Sequence, residues 1–483
     1  MSSVAQQVFP VSLAQADIEF EERHRRQRQA EILELIAEKD NHLSDQYLKK
    51  CPCCGSRMHK HGTTEPRDLW TKAGLLKVTL RRVRCPQCTH LAVPAHELVA
   101  DGLLSSVAEY FVEQCRINSF ATSRKMLNKF LGVDIPVMTL HAYVRRQAEY
   151  FDDKIVKATE ALYEAGLMPD VDARLEKDAP LYLAIDEGLI HEWSYCHGKT
   201  KTDDGKKRYV TAYCAVFFDG RKRISSEEAK PRYALTGRYG HASATTSTDQ
   251  FFRELVTLSI KRGLNSNHHL FILTDGATYL SEAIKTYFPH ATHLLDMYHL
   301  KSRVGELIKE EHSLYESAKK AIHTYNPIAL LALIRAFQIT EEREETVKKD
   351  LLKYITKNAQ LIKNHRDCRT RVHGSASAEK AVDLMVARRF KNRGMSWTEK
   401  GCEVLLQFTV LDYNNELEAF WENLHARSGA VLTSPERPSA QIPVAKSNPQ
   451  ASKISASISS AHPLYYNQVH LIDCERTKGT NLN

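Results

Sequence analysis

The chain has 483 residues and a mass of 55.0 kDa, a length that suits about three domains at roughly 150 residues each. A formal charge of +8 and a pI near 8.8 suit a polyanionic partner without requiring one. No apolar run approaches the roughly 18 residues that a membrane span needs, and the N-terminus lacks an apolar signal core, so no membrane role is expected.

Residues 13 to 39 are expected to be helical. Leu13, Ala16, Ile18 and Phe20 lead into Ile32, Leu33, Leu35 and Ile36, with the charged run Glu21 to Arg26 between them. That run reads as a solvated face or as a contact to a nucleic-acid backbone.

Eleven cysteines are present, five of them between Cys51 and Cys88. This crowding points to a metal site in a reducing compartment rather than a secreted disulfide framework. Cys51-Pro52-Cys53-Cys54 and Cys85-Pro86-Gln87-Cys88 form two knuckles thirty residues apart. Four thiolates satisfy the tetrahedral preference of zinc, so Cys51, Cys54, Cys85 and Cys88 are the expected ligands of one structural Zn²⁺. Cys53 is left as a spare thiol, and His59, His61 and His90 are substitute ligands or surface residues. Between the knuckles, Leu76, Val78, Leu80 and Val83 alternate with Lys77, Arg81, Arg82 and Arg84, a strand with one basic side.

Residues 104 to 150 read as helices broken at Gly132 and reopened at Pro136. A helix, a glycine turn and a helix with polar side chains fit either a helix-turn-helix or a plain helical hairpin. Thr139, His141, Arg145 and Arg146 are the side chains expected towards DNA.

From 180 to 300 the pattern becomes mixed α/β. Strands are expected at 181–186, Tyr209 to Phe218, 269–274 and Ala291 to Met297, with helices at 248–262 and Ala277 to Phe288. A charged segment, Lys199 to Lys207, lies between the first two strands. Residues 300 to 370 are lysine-rich and helical with a break at Pro327, and helices are expected again at 379–392 and 400–424. After about residue 428, Ser, Pro, Ala and Asn dominate, which reads as a disordered polar tail.

Three acids stand out. Asp186 ends the apolar run Leu181 to Ile185, and Asp275 ends Leu270 to Thr274. Glu379 closes Gly374-Ser375-Ala376-Ser377-Ala378 ahead of a basic helical stretch. Acids delivered by buried strands to one sheet edge suit hard divalent cations, and two such ions can clamp the attacking and leaving oxygens of a phosphodiester. Asp275 is also placed to cap the helix after it, and Glu187, Glu192, Asp383 and Glu399 compete with Glu379. Asp296 and His299 form a D-x-x-H element that is either a near-site pair or a source of a fourth ligand. Lys380, Arg388, Arg389, Lys391 and Arg393 suit phosphate contacts or a solvated basic face. Trp397 and Trp421 are expected in the core.

Several blocks together resemble the DDE-type transposases of bacterial insertion sequences, nearest the Kra and Lre groups, with Mutator-like elements more distant. These blocks are the Cys51/Cys54/Cys85/Cys88 ribbon, Thr274-Asp275-Gly276-Ala277, and Asp296-Met297-Tyr298-His299. The last are Gly374 to Glu379, Arg393-Gly394-Met395-Ser396-Trp397, and Glu418-Ala419-Phe420-Trp421. The resemblance covers roughly residues 50 to 422. It implies an α/β, RNase H-like catalytic domain at 176–424 with a helical insertion at about 300–370. Ahead of it would lie an N-terminal helix (1–48), a zinc ribbon (49–100) and a helix-turn-helix-like DNA-binding region (101–175), with a tail at 425–483. It implies that Asp186, Asp275 and Glu379 hold two Mg²⁺ or Mn²⁺ ions for strand cleavage and strand transfer. The partners would be the element's terminal inverted repeats, target DNA and further copies of the chain, in a bacterial cytoplasm at the nucleoid. A catalytically silent DNA-binding descendant and a nuclease without strand transfer are the alternatives.

Overall fold

A computed structural model describes residues 13–96, 99, 102, 105–131, 135–147, 151, 154–173, 175–176, 179–193, 208–227, 229, 232–368, 380–391 and 395–431. These fall into two compact units, one built from residues 13–151 with 416–431 and the other from 154–415.

In the first unit, helix α1 runs unbroken over Leu13–Lys49. It is longer than the 13–39 expected because no Gly or Pro interrupts the chain before Pro52. Only its second half has a buried stripe, with Ile36, Asp40, Leu43 and Ser44 facing inward at helical spacing. Ile36 and Leu43 share a core with Leu69, Leu76, Val78 and Leu80. The last four come from the hairpin β2 (Arg67–Thr71) and β3 (Gly74–Val78) and the turn after it. A second sheet orders β1 (His59–Thr63), β4 (Arg81–Arg84) and β5 (Leu91–Ala92) as β1-β4-β5. Helices α2 (Ser105–Ile117), α3 (Phe120–Leu131) and α4 (Val137–Gln147) follow. Phe111, Cys115, Leu127, Leu140, Tyr143 and Val144 are buried on them. The break expected at Gly132 lies outside the described residues.

The second unit is mixed α/β and opens with helix α5 (Lys154–Ala165). Its sheet has five strands in the order β10-β7-β6-β11-β12. These are β6 (Leu181–His191), β7 (Tyr209–Phe218), β10 (Tyr239–Ser243), β11 (Leu270–Thr274) and β12 (Thr292–Leu295). β6, β11 and β12 are parallel to one another, while β7 is antiparallel to both neighbours. Side chains alternate along each strand. Leu181, Leu183 and Ile185 therefore join Leu270 and Ile272 against α6 (Thr248–Lys261) and α7 (Thr278–Tyr287). The other face carries Tyr182, stacked between Phe218 and Phe271. It also carries Gly188, where an added Cβ would come within 2.7 Å of Val386. Val386 belongs to α12 (Asp383–Lys391), a π-helical segment. A helical block follows β12: α8 (Met297–Leu307), α9 (Tyr315–His323), α10 (Pro327–Ala336) and α11 (Glu342–Asp367). Asn326 caps α10 by accepting from Ala329 N, with Pro327 in the first turn.

Several expectations need correction. β6 runs five residues past Asp186, to His191, because it continues to pair with β7 as far as Tyr209. The hairpin β8 (Gly220–Arg223) and β9 (Tyr233–Thr236), and β10 after it, were not foreseen, since their short polar sequences carry little alternation. The strand expected at 291–297 stops at Leu295, where Asp296 caps α8 through Tyr298 N. The helix expected at 400–424 is two, α13 (Glu399–Tyr413) and α14 (Leu417–Val431), separated where Asn415 takes a φ of +59°. The segment Lys199 to Lys207 and the tail beyond 431 lie outside the described residues.

Candidate functional site

Two clusters of ligand-type side chains stand out, one in each unit. The first is local. After α1, Cys51 N donates to Ser56 O at 2.7 Å and Gly55 N donates to Cys51 O at 2.9 Å. Gly55 sits at φ +75°, a conformation that favours glycine. The second knuckle closes with Cys85 N donating to His90 O at 2.8 Å. β1 and β4 pair His59 with Arg84 and so bring the knuckles together.

The sulfurs of Cys51, Cys54, Cys85 and Cys88 all lie within 4.8 Å of one another. Cys51 Sγ stands 3.6 Å from Cys88 Sγ, and Cys54 Sγ stands 3.5 Å from Cys85 Sγ. A tetrahedral zinc with Zn–S of about 2.3 Å has an S···S edge of about 3.8 Å, so the cluster can hold such an ion. Ser56 lowers the Cys54 thiol to about 6, through its hydroxyl and its N–H, with help from Cys85. Burial raises Cys51, but the N–H groups of Cys54 and Cys53 outweigh it and the thiol ends lowered. His90 N–H favours the Cys88 thiolate, yet burial and the three other ligand thiols push Cys88 up to about 12. Crowded thiols that cannot all ionise unaided are what a dication relieves. Cys53 is exposed and outside the group.

The second cluster is assembled by the sheet. Register pairs Ala184 with Leu273 and Thr274 with Leu295. Continued by two residues in the first case and one in the second, it sets Asp186, Asp275 and Asp296 side by side, just past the C-terminal ends of β11 and β12 and midway along β6. Alternation also puts Asp186 and Asp275 on the same face, the one against which α12 packs through Gly188. Each acid is held by its own backbone. Asp186 accepts from Glu187 N, Asp275 from Ala277 N and Asp296 from Tyr298 N, all at 2.8 Å. His299 Nε2 lies 3.9 Å from Asp186 Oδ2 and 3.6 Å from Asp296 Oδ2. Burial pushes Asp186 up to about 6; Glu187 N–H and His299 favour its charge, and Asp275 and Asp296 oppose it. Among the described residues, the four cysteines are the one group of three or more ligand-type side chains gathered closely enough to hold an ion as they stand.

Glu379 and Arg393 lie outside the described residues. Residues 380–382 are helical and lead into α12, which packs on the sheet face that carries Asp186 and Asp275. Of the competing acids, Asp383 is taken up by Lys380 at 2.9 Å and Arg388 at 3.0 Å, and Glu187 accepts from the Tyr279 hydroxyl. Arg388 and Lys391 are exposed. Arg389 is not a surface residue as expected. It is only 3% exposed, with its guanidinium 4.4 Å from the Trp397 ring, because the π-helical turn directs it inward. Trp397 and Trp421 are buried, as expected. Arg84 and Arg145 are exposed, while Arg81, Arg82, Thr139 and Arg146 are half-buried. His141 stacks on Phe120 with centroids 3.7 Å apart, a packing role the sequence did not suggest.

Other neighbours of the acids were also missed. Cys214 faces Asp186 across β7, and burial, reinforced by that carboxylate, raises its thiol. Tyr354 and Lys357, far along in α11, reach the turn after β11. A run of polar residues at helical spacing was the only signal for them.

The model of an uncharacterised protein family (UPF0236) matches residues 214–420. That span includes Asp275, Asp296 and His299 but starts after Asp186. No curated protein matches the chain. Among solved structures, the Drosophila P element transposase strand transfer complex is similar over 67% of this chain and 80% of that chain. The identity is 12% and the TM-score 0.24, an overlap too slight to assign a fold or a residue.

Proposed function

We propose that this protein is a DNA transposase of the DDE type, with an RNase H-like catalytic unit and a zinc-ribbon DNA-binding region. The observation that carries this reading is the alignment of Asp186 and Asp275 at one level and on one face of adjacent parallel strands. The strand order β10-β7-β6-β11-β12, with only β7 antiparallel to its neighbours, supports the RNase H-like assignment. The helical block after β12 would be the insertion that separates the second acid from the third.

The donor set fits divalent ions. Carboxylate oxygens are the hard ligands that Mg²⁺ and Mn²⁺ prefer, and burial among like charges raises Asp186, a cost that a cation removes. Asp186, Asp275 and Glu379 would be the residues that hold the ions. Two ions so held supply an activated oxygen nucleophile and stabilise charge on the phosphate. The chain's own contribution is placement. The Glu187 and Ala277 N–H groups fix Oδ1 of Asp186 and of Asp275, and His299 Nε2 lies 3.9 Å from the other oxygen of Asp186. Asp296 and His299 brace the edge beside them.

In the first unit, Cys51, Cys54, Cys85 and Cys88 would bind one structural Zn²⁺. Arg81, Arg82, Arg84, Thr139, Arg145 and Arg146 would face the element's ends. Bringing two ends together calls for more than one copy of the chain.

The test is cleavage of a labelled duplex carrying the element's own ends, with Mg²⁺ or Mn²⁺, by the native chain and by Asp275→Ala. Metal-dependent cutting that the substitution abolishes, followed by joined products, is the expected result. Cutting without joining would leave a nuclease. Binding without cutting, unchanged by the substitution, would leave a silent DNA-binding protein.

A further inference from the structure

One face of α11 is devoted to the main chain of the acid-bearing strand ends. Tyr354 Oη donates to Asp275 O at 2.8 Å. Lys357 Nζ donates to Gly276 O at 2.8 Å and to Thr278 Oγ1 at 2.7 Å. Asn364 Nδ2 donates to His293 O at 2.8 Å, and His365 Nε2 donates to Leu295 O at 2.7 Å. These residues fall at i, i+3, i+10 and i+11, one stripe of a helix. Each accepting carbonyl belongs to Asp275 or to a residue within three positions of Asp275 or Asp296. Between the donors, Asn358 presses on Gly276, where φ is +82° and an added Cβ would lie 2.6 Å from Asn358 Oδ1. Leu351, Ile355 and Ile362 hold the helix down in a core shared with Leu295, Met297 and Leu300.

We infer that α11 positions the catalytic carboxylates: Tyr354 and Lys357 set the backbone of Asp275, and Asn364 and His365 set the strand end that delivers Asp296. This inference rests on the metal-binding reading of Asp186 and Asp275 above. A carbonyl bonded at residue 275 fixes the peptide plane beyond that residue, and with it the direction in which the carboxylate leaves the chain. Misplacement of a ligand by about 1 Å is enough to cost about 100-fold in rate. The helices after β12 are therefore tied to the acid edge through hydrogen bonds as well as through packing, so a shift of α11 moves Asp275.

The experiment is Mn²⁺ titration of the zinc-loaded full chain, followed by the electron paramagnetic resonance of free Mn²⁺, which needs no DNA and no turnover. Tyr354→Phe combined with Lys357→Met is expected to bind Mn²⁺ about tenfold more weakly, the size typical of a lost outer partner of a metal ligand. Lys357→Arg, which keeps a donor, should restore most of the binding in the presence of Tyr354. Ile355→Val, which loosens the same helix without touching a carbonyl, should change affinity by less than about twofold. Native binding by the Tyr354/Lys357 double variant, with binding lost in Asp275→Asn, would overturn the positioning role alone. Native binding by Asp275→Asn would overturn the metal reading and this inference with it. Should the double variant fail to fold, amide exchange of the native chain decides. Mn²⁺ is expected to slow exchange over 351–365, and unchanged exchange there would count against the inference.

Discussion

The two ligand clusters are built in opposite ways. The thiol cluster is written into two short knuckles, and its unit needs only one strand pairing, β1 with β4, to close it. The carboxylate edge draws on residues 110 apart, from Asp186 to Asp296, and exists only because three strands stand in register. Soft thiolates held within 4.8 Å of one another suit one caged ion, whereas carboxylates are hard ligands that suit Mg²⁺ or Mn²⁺. The first kind of site forms together with its own short segment, whereas the second rests on a fold already made.

That contrast predicts different failures. Stripping zinc, or replacing Cys51 and Cys85 with serine, should unfold the ribbon. Binding of a structural zinc is worth on the order of 10 kcal/mol in isolated peptides. Limited proteolysis of residues 50–96 together with zinc analysis would show it, and a ribbon that stays resistant without metal would break the assignment. Asp275→Asn should do the reverse. Strand cleavage should fall by about 10³-fold or more, since several kcal/mol of charge stabilisation vanish with the ligand. The melting temperature of the metal-free protein should hold or rise, because a like charge beside Asp186 is gone. A large loss of melting temperature would mean that Asp275 is structural, a brace for the turn before α7 through Ala277 N rather than the helix cap expected from sequence, since Ala277 itself is the N-cap.

The same contrast explains what could be read in advance. Cys51, Cys54, Cys85 and Cys88 announce themselves by spacing, because their chemistry and their neighbours in sequence coincide. Asp186 and Asp275 were legible because each ends a continuous apolar run, the mark of a strand buried on both faces. Their shared level and face were not, since register is a property of pairing. β8, β9 and β10 escaped notice because an antiparallel strand such as Tyr239–Ser243 takes its order from its partner β7 and from α13. Asn414 clasps Gly240 there through both its amide groups, 174 residues away in sequence. The inward turn of Arg389 depends on π-helical winding, which shifts side chains off the expected 3.6-residue stripe.

The carboxylate unit also carries a pH signature of its own, in His293. Burial, with Lys285 nearby, lowers His293 to about 4 while its Nε2 lies 2.8 Å from Thr274 Oγ1. A base lowered in the folded state binds fewer protons there than in the unfolded chain. Its contribution to stability is therefore present above about pH 6.5 and is lost as pH falls towards about 4. The loss should amount to about 1–3 kcal/mol. Urea midpoints at pH 7 and pH 4.5 for the native chain and His293→Gln would isolate it. Equal slopes for the two would show that His293 titrates alike in both states.

The smallest expected effect separates two neighbours. Arg388 has a side chain 56% exposed and shares Asp383 with Lys380, whereas Arg389 is buried on Trp397. Sequence alone treats them as one basic pair. Arg388→Ala should leave folding within about 0.5 kcal/mol, as surface changes do, and, if it meets a phosphate, lower the salt slope of DNA binding by about 1. Arg389→Ala should cost about 1–3 kcal/mol of stability through lost packing and a stranded ring face, with the salt slope unchanged. Reversed results would place Arg389 at the DNA and Arg388 in the structure, and the packing of α12 against β6 would then have to change when DNA binds.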